Sequence, residues 1–197
     1  MSALAAGFAD PVFESQRVFR ATMQAFARPG TAQAIATDLV PPAPLSPEAA
    51  AVLLALADHE TPLWLDAILA GSDAPDFLRF HTGAPIVADP SEAQFALVSE
   101  PALCPPFSRF AQGAPEYPER STTLILGVGT LQGGPELTLS GPGIAGEARL
   151  APSPLPDDFV WQWAANGALY PRGTDCLLVA PGAVAGLPRT TRIERED

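Results

Sequence analysis

STTLILGVGTLQGGPELTLSG, residues 121–141, is the stretch whose reading decides the fold. Two runs rich in Leu, Ile, Val and Thr flank the pair Gly133-Gly134. Such runs are strand-formers, and a Gly-Gly pair supplies the backbone freedom of a tight turn. The pattern predicts an antiparallel hairpin. Its glycines also make up LGVGTLQGG, which lies inside the hairpin pattern and not between a strand and a helix, so they read as turn and packing residues.

Further strands follow on the C-terminal side. EARLA (147–151) returns as a strand after the tight turn GPGI, and CLLVA, the turn Pro181-Gly182 and AVAGLPRTTRIE predict a C-terminal strand pair. SGPGI (140–144) is either a plain turn or a loop aiming backbone N–H groups at a phosphate. PDDFVWQWAANG predicts a helix with acids in its first turn and Gly167 at its end.

On the N-terminal side, DPVFESQRVFRATMQAFARPG predicts a helix capped by Asp10 and opened by Pro11. Val12, Phe19, Met23 and Phe26 recur at helical spacing and are expected to be its buried stripe, with Arg17, Arg20 and Gln24 off it. TAQAIAT is expected as a strand. SPEAAAVLLALADHETP reads as a second helix, buried on more than one side, with Ser46 as cap and Val52, Leu53 and Leu56 in the core. TPLWL (61–65) and APIVA (84–88) read as strands, and SEAQFALVS ends in another. APDFLRFHTG reads as a short helix closed by Gly83. Residues 100–120 are a proline-broken loop around a short helix, PFSRFAQ. The proline-rich PPAPLSP serves as a linker or, equally well, as a helix entry. The expected fold is therefore α/β in one domain over residues 1–197: a mixed sheet with helices packed on it and antiparallel hairpins.

Residue counts exclude several functions. The net charge is −11, with 22 acids against 11 basic residues. Phosphate neutralisation on nucleic acid and attraction to an anionic membrane surface are not expected. All eleven basic residues are arginine. Without lysine the chain forms no internal Schiff base with pyridoxal phosphate and no Walker-type phosphate loop. Two cysteines (Cys104, Cys176) and two histidines (His59, His81), with neither C-x-x-C nor H-x-x-x-H spacing, predict no metal site and no iron–sulfur centre held by this chain alone. The cysteines read as packed apolar residues. The N-terminus carries no basic, apolar leader pattern and no run approaches the length of a membrane span, so a cytoplasmic chain is expected.

Three places concentrate polar chemistry. In LRFHTGAP, Arg79 and His81 share a face if the segment is extended and diverge if it is helical; Thr82 stands beside them. They read either as an anion pocket or as an arginine held by a carboxylate and a histidine bonded in the core. Arg172 in YPRGTD and Arg189, Thr190 and Thr191 in LPRTTRI offer donors suited to a carboxylate or phosphate, or else form an exposed edge strand. In DHET, Asp58 and Glu60 oppose the negative end of a helix dipole, which predicts an arginine partner or a functional carboxylate.

In order along residues 8–194, SQRVFRATMQAFARPG, LLALADHETPLWL, LRFHTGAP, TLILGVGTLQGGPELTLSGPGI and PRGTDCLLVAPGAVAGLPRTTRIE resemble the PhnH family, the H subunits of bacterial carbon–phosphorus lyase. The resemblance implies a single PhnH-like domain with a fold like that of pyridoxal-phosphate-dependent transferases; the absence of lysine rejects the cofactor itself. It implies a cytoplasmic pathway drawing phosphorus from phosphonates, a core complex with the G, I and J subunits, and a homodimer in isolation. With a further subunit that system makes alpha-D-ribose 1-methylphosphonate 5-triphosphate from ATP and an alkylphosphonate, and the radical C–P cleavage belongs to the J subunit. No catalytic residue is carried over. Two functions are then expected to compete. One is an accessory subunit contributing interface residues such as those of TPLWL and FVWQW. The other is a ligand-binding or catalytic subunit with an Arg/His/Thr anion pocket for nucleotide or phosphonate, in which His81 moves a proton. A stand-alone binding module remains only if the family resemblance fails.

Overall fold

In chain order the elements of the computed structural model are α1 (Pro11–Ala27), β1 (Gln33–Ala34), α2 (Pro47–Leu56), β2 (Leu63–Leu65), α3 (Ala67–Ala70), α4 (Ala74–Thr82), β3 (Phe95–Val98), β4 (Thr123–Gly127), β5 (Leu137–Ser140), β6 (Ala148–Leu150), α5 (Phe159–Gly167), β7 (Asp175–Ala180), β8 (Ala183–Leu187) and β9 (Arg192–Arg195). The structure describes residues 5–195. Six strands form one sheet in the order β1-β8-β7-β4-β3-β2, and three form a second in the order β6-β5-β9. In the large sheet β2, β3, β4 and β7 run parallel, and β8 and β1 continue it antiparallel. The second sheet is wholly antiparallel. No helix among the described residues is long and apolar enough to cross a membrane.

The hairpin expected over 121–141 does not form. β4 lies between β3 and β7, parallel to both, while β5 pairs with β6 and β9 in the other sheet. The two runs have different burial. Leu124, Ile125 and Leu126 are all buried, so β4 has apolar side chains on both faces and requires cover on both, the environment of an interior parallel strand. β5 alternates buried Leu137 and Leu139 with partly exposed Thr138 and Ser140, the period of a strand with one core face. The intervening loop is tied to the residues after β6: Gly129 and Thr130 donate to the Ser153 carbonyl, and Gly134 donates to that of Ala151. Consecutive strands pair instead as β5–β6 and as β7–β8, the latter around Pro181-Gly182.

Of the buried stripe expected on α1, Phe26 is partly buried against the core, but the rest is on the exposed face. Val18, Thr22 and Ala25 are buried, whereas Val12, Phe13, Phe19 and Met23 are 68%, 66%, 49% and 40% exposed. The cause lies beneath the helix. α1 crosses β8 at Gly186, where a Cβ would stand 2.7 Å from the Ala25 carbonyl carbon and the Phe26 nitrogen. Backbones that close admit only small side chains between them, so the larger apolar residues are turned outward. Caps agree with expectation at both long helices: Asp10 accepts from the Phe13 N–H, and Ser46 from the Ala49 N–H at 3.2 Å. α2 buries Ala49 through Leu53, as its continuous Ala and Leu required.

Several shorter elements are reduced. The strand expected over 31–37 is only Gln33–Ala34, that over 84–88 is a single bridge from Ile86 to Leu63, and the helix expected in PFSRFAQ is one 3₁₀ turn, Phe107–Arg109. The large sheet separates two cores. Leu65, Leu97, Ile125, Leu177 and Val179 meet Val52, Leu53, Phe77 and Leu78 of α2 and α4 on one face. Val98, Leu124, Leu126 and Leu178 meet Phe107, Phe159, Trp163 and the second sheet on the other.

Replacing Gly186 by Ala is expected to force α1 off β8, at about 1–3 kcal/mol in urea unfolding, with a far-UV spectrum close to that of the parent.

Candidate functional site

The fold separates the polar segments. Arg79 and His81 lie on α4, a helix, so they diverge. Arg79 donates to Asp76 at 3.0 Å in an exposed i, i+3 pair. His81 is spent on packing: its Nε2 lies 3.0 Å from the Ala5 carbonyl oxygen, and its ring sits 4.6 Å from that of Phe77 and 5.0 Å from that of Phe80. Thr82 donates to the Leu78 carbonyl and accepts from the Ala84 N–H, finishing the helix before Gly83 turns left-handed at φ 75°. These polar atoms are taken up locally. Phe77 and Leu78 belong to the core on the α2 side of the sheet, and the 189–193 segment lies with α5 on the other side, so one chain does not bring the two segments to one cleft.

Arg189 sits where the chain leaves β8 for β9. Its guanidinium and N–H meet Asp175 at the start of β7, Nη2 donates to Ser121 Oγ at 2.6 Å, and Nη1 donates to the carbonyls of Pro118 and Pro171. The pair is half-buried and bidentate, a charge-assisted arrangement that fixes geometry. Arg189 is therefore committed to the protein. Thr191 is buried; its carbonyl accepts from Trp163 Nε1 at 2.8 Å, and its own hydroxyl has no partner. Thr190 is half-buried and its hydroxyl makes no hydrogen bond among the described residues. Arg172 follows α5 in a turn closed by its N–H on the Leu169 carbonyl.

Between α5 and this segment lies a groove of ≈ 590 Å³. Trp163, Ala164 and Gly167 line one side, Thr190, Arg192 and Ile193 the other, with Pro142 and Tyr170 at its ends. Gly141 permits the close approach of the 141–144 turn: it has φ 129°, and a Cβ there would stand 2.9 Å from the Thr190 carbonyl oxygen.

A second cavity, ≈ 310 Å³, occupies the carboxyl ends of β3, β4 and β7, the usual place for a ligand in an open parallel sheet. Ser99, Gly127, Gly129 and Ala180 line it, and the first turn of α2 faces them. Its charged groups are carboxylates: Glu100, and Glu48, which accepts from the Gly182 N–H at 2.7 Å. That lining suits a neutral or cationic group and not a phosphate. Beside it is the buried Asp66, which sequence reading missed. One oxygen caps α3 through the Leu69 N–H; the other accepts from Ser99 N, Ser99 Oγ and Glu100 N. The order Asp-Ala-Ile-Leu marks the cap in sequence; nothing local marks the bonds to residues 99 and 100.

Of the two alternatives for DHET, no arginine pairs with Asp58 or Glu60 among the described residues. Asp58 instead closes a turn, accepting from Glu60 N–H and Thr61 Oγ1, and these two bonds lower its pKa. Burial pushes the Cys104 thiol up to about 12 and that of Cys176 well above 9.0. No group of His, Cys, Asp or Glu among the described residues is arranged to hold a metal ion.

Two outcomes are expected here. Asp66→Ala strands four donors and lowers stability by about 3 kcal/mol or more in urea unfolding. Both thiols resist iodoacetamide at pH 8 until urea is added, because a raised pKa withholds the thiolate. The sign for Cys104 also follows. The fold favours the neutral thiol, so this contribution is present below pH 9.0 and is lost as pH climbs through about 12.

The family model for bacterial phosphonate metabolism protein (PhnH) matches residues 6–194. Alpha-D-ribose 1-methylphosphonate 5-triphosphate synthase subunit PhnH of Rhizobium meliloti (strain 1021) is 50% identical over 189 residues, covering 96% of this chain and 94% of the relative. The putative C-P lyase subunit protein HtxG of Stutzerimonas stutzeri is 40% identical over 81 residues, 41% of this chain and 42% of the relative.

Proposed function

The chain belongs to the PhnH family of bacterial phosphonate metabolism proteins, and on that premise we propose that it is an accessory subunit of a ribose 1-methylphosphonate 5-triphosphate synthase, acting in the cytoplasm on alkylphosphonate catabolism. It is a single domain in the manner of the pyridoxal-phosphate-dependent transferases, without the cofactor. Its partners are the G, I and J subunits of the carbon–phosphorus lyase core, and without them two copies of the chain pair.

One observation carries the reading. α1 turns Val12, Phe13, Phe19 and Met23 to solvent along a single helix, while small residues face the sheet. Exposed apolar side chains gathered on one element mark an interaction surface. Arg17 and Arg20 stand among them, without an ion-pair partner among the described residues. The face therefore fits a subunit that brings apolar side chains and carboxylates. Trp161 on α5 and Phe80 on α4 are also largely exposed and extend the list of contact candidates, with Arg79 and His81 beside Phe80. Of TPLWL, Pro62 and Trp64 are partly exposed, and Trp64 is held against Phe110.

A second reading has support at one place. The groove holding Thr190 and Thr191 contains unspent polar groups, which favours a ligand-binding contribution from this subunit there over one from Arg79 and His81.

The test is co-purification of the tagged chain with the G, I and J subunits. The parent chain is expected in a stable assembly, and a Phe19→Asp/Met23→Asp variant with native far-UV spectrum is expected to be lost from it. A parent chain that stays outside the assembly overturns the subunit role; a variant that enters as well as the parent overturns the α1 face.

A further inference from the structure

We infer that the cavity at the carboxyl ends of β3, β4 and β7 is a binding site for a small organic ammonium, a protonated amine carried on a compact apolar body.

Charge is the first observation. No arginine lines this cavity, and the chain has no lysine. Two carboxylates line it from different elements: Glu48 in the first turn of α2 and Glu100 just after β3. Glu48 engages one oxygen with the Gly182 N–H; its second oxygen accepts no hydrogen bond among the described residues. Glu100 is exposed, and its side chain has neither a hydrogen bond nor an ion pair among them. Behind the lining residue Ser99 sits Asp66, 1% exposed. Its carboxylate accepts from Leu69 N, Ser99 N, Ser99 Oγ and Glu100 N. All four donors are neutral, so its hydrogen-bonding capacity is met while its charge has no counter-ion. The field of Asp66 also reaches past these bonds: burial is the first cause of the raised Cys104 thiol, and the charges of Asp158 and Asp66 add to it. A buried charge is costly without an opposite one, and the open volume beside Asp66 is this cavity. Three carboxylates thus act on a space that no protein cation enters.

Shape is the second observation. Leu45, Leu69, Leu97 and Val179, all members of the core on the α2 side of the sheet, give the cavity an apolar wall. Prolines from separate connections complete it, each with φ fixed by its ring, so the walls are held before a ligand arrives. The ≈ 310 Å³ volume is at the lower end of small-molecule sites, which limits the ligand to a compact body. The place is the one where open parallel sheets bind their ligands. The chemistry of the lining then selects the head group. An anion meets Glu48 and Glu100 and is repelled. A purely apolar molecule leaves the second Glu48 oxygen without a donor in a half-buried position. An ammonium brings three donors and one positive charge, and its apolar body fits the leucine and valine wall.

The site is independent of the subunit role, because binding is read on the isolated chain. The probe is benzylamine, protonated at neutral pH, titrated by calorimetry beside benzyl alcohol and benzoate, its neutral and anionic counterparts of similar shape. Saturable binding of benzylamine is expected, about tenfold weaker for benzyl alcohol and absent for benzoate. Glu48→Gln keeps an acceptor for the Gly182 N–H and removes the charge. It is expected to weaken benzylamine about tenfold and to leave benzyl alcohol unchanged. Glu100→Gln, at an exposed position, is expected to weaken benzylamine about threefold at low salt and less at high salt. Ala49→Leu fills the cavity and is expected to abolish binding of both molecules while the unfolding midpoint stays that of the parent. No saturable binding of benzylamine, benzyl alcohol or benzoate bound as tightly as benzylamine, or full affinity retained in Glu48→Gln overturns the proposal. Parent-like binding by an Ala49→Leu chain that folds also overturns it, since the amine then sits elsewhere. None of these readouts depends on the other subunits, so the ligand site and the subunit role fail separately.

Discussion

Strand β4 has no solvent face, and the architecture follows from covering both of its sides. Leu124 and Leu126 point into one core and Ile125 into the other. Exposing either set forfeits about 25 cal/mol per Å² of apolar surface, so the strand needs neighbours on both edges and layers on both faces. β3 and β7 take the edges in parallel register. α1, α2 and α4 cover one face; α5, the 3₁₀ turn at Phe107–Arg109 and the second sheet cover the other. The second sheet is thus the far wall of the β4 core, and β5 serves the same strand from across that core instead of pairing with it.

Holding two sheets and five helices in this arrangement takes specific polar ties at the places where the chain changes layer. Arg189 is one, binding the ends of three segments at the step from β8 to β9. Asp66 is the other, joining the ends of β2 and β3 to α3. Both are charged groups taken out of water and fully used, which makes them scaffold. The consequence is that the most strongly bonded charge in the LPRTTRI segment, Arg189, is spent on the fold.

Much of the fold was legible because its signals are local. Asp10-Pro11 and Ser46-Pro47 open α1 and α2, Gly83 closes α4, and Pro181-Gly182 turns β7 into β8. The two misreadings share one cause. In 121–141 the turn residues point to a hairpin, but the difference in period between LIL and LTLS separates a strand buried on both faces from one buried on one. On α1 the apolar stripe points to the core because apolar residues prefer burial. That rule runs one way, and with α1 set close on Gly186 the fully buried positions of the helix are Val18, Thr22 and Ala25. Of the candidate site, Thr190 and Thr191 were found at a groove. Tyr170, Gly167 and Arg192 were not, since a cavity is made by residues from separate elements.

The amino-acid sequence by itself determined the absences that matter chemically, the caps and turns, and the family, since these depend on residue type and order. Lacking lysine, the chain forms no Schiff base whatever its fold. Tertiary structure alone decided which side of α1 meets water, which arginine is spent and which is free, and that residues 79–82 and 189–192 lie on opposite sides of a sheet. Those are properties of distance between parts of the chain remote in sequence. Close packing settles them, because the contact distance at one glycine or the partner of one guanidinium excludes the alternatives that local pattern leaves open.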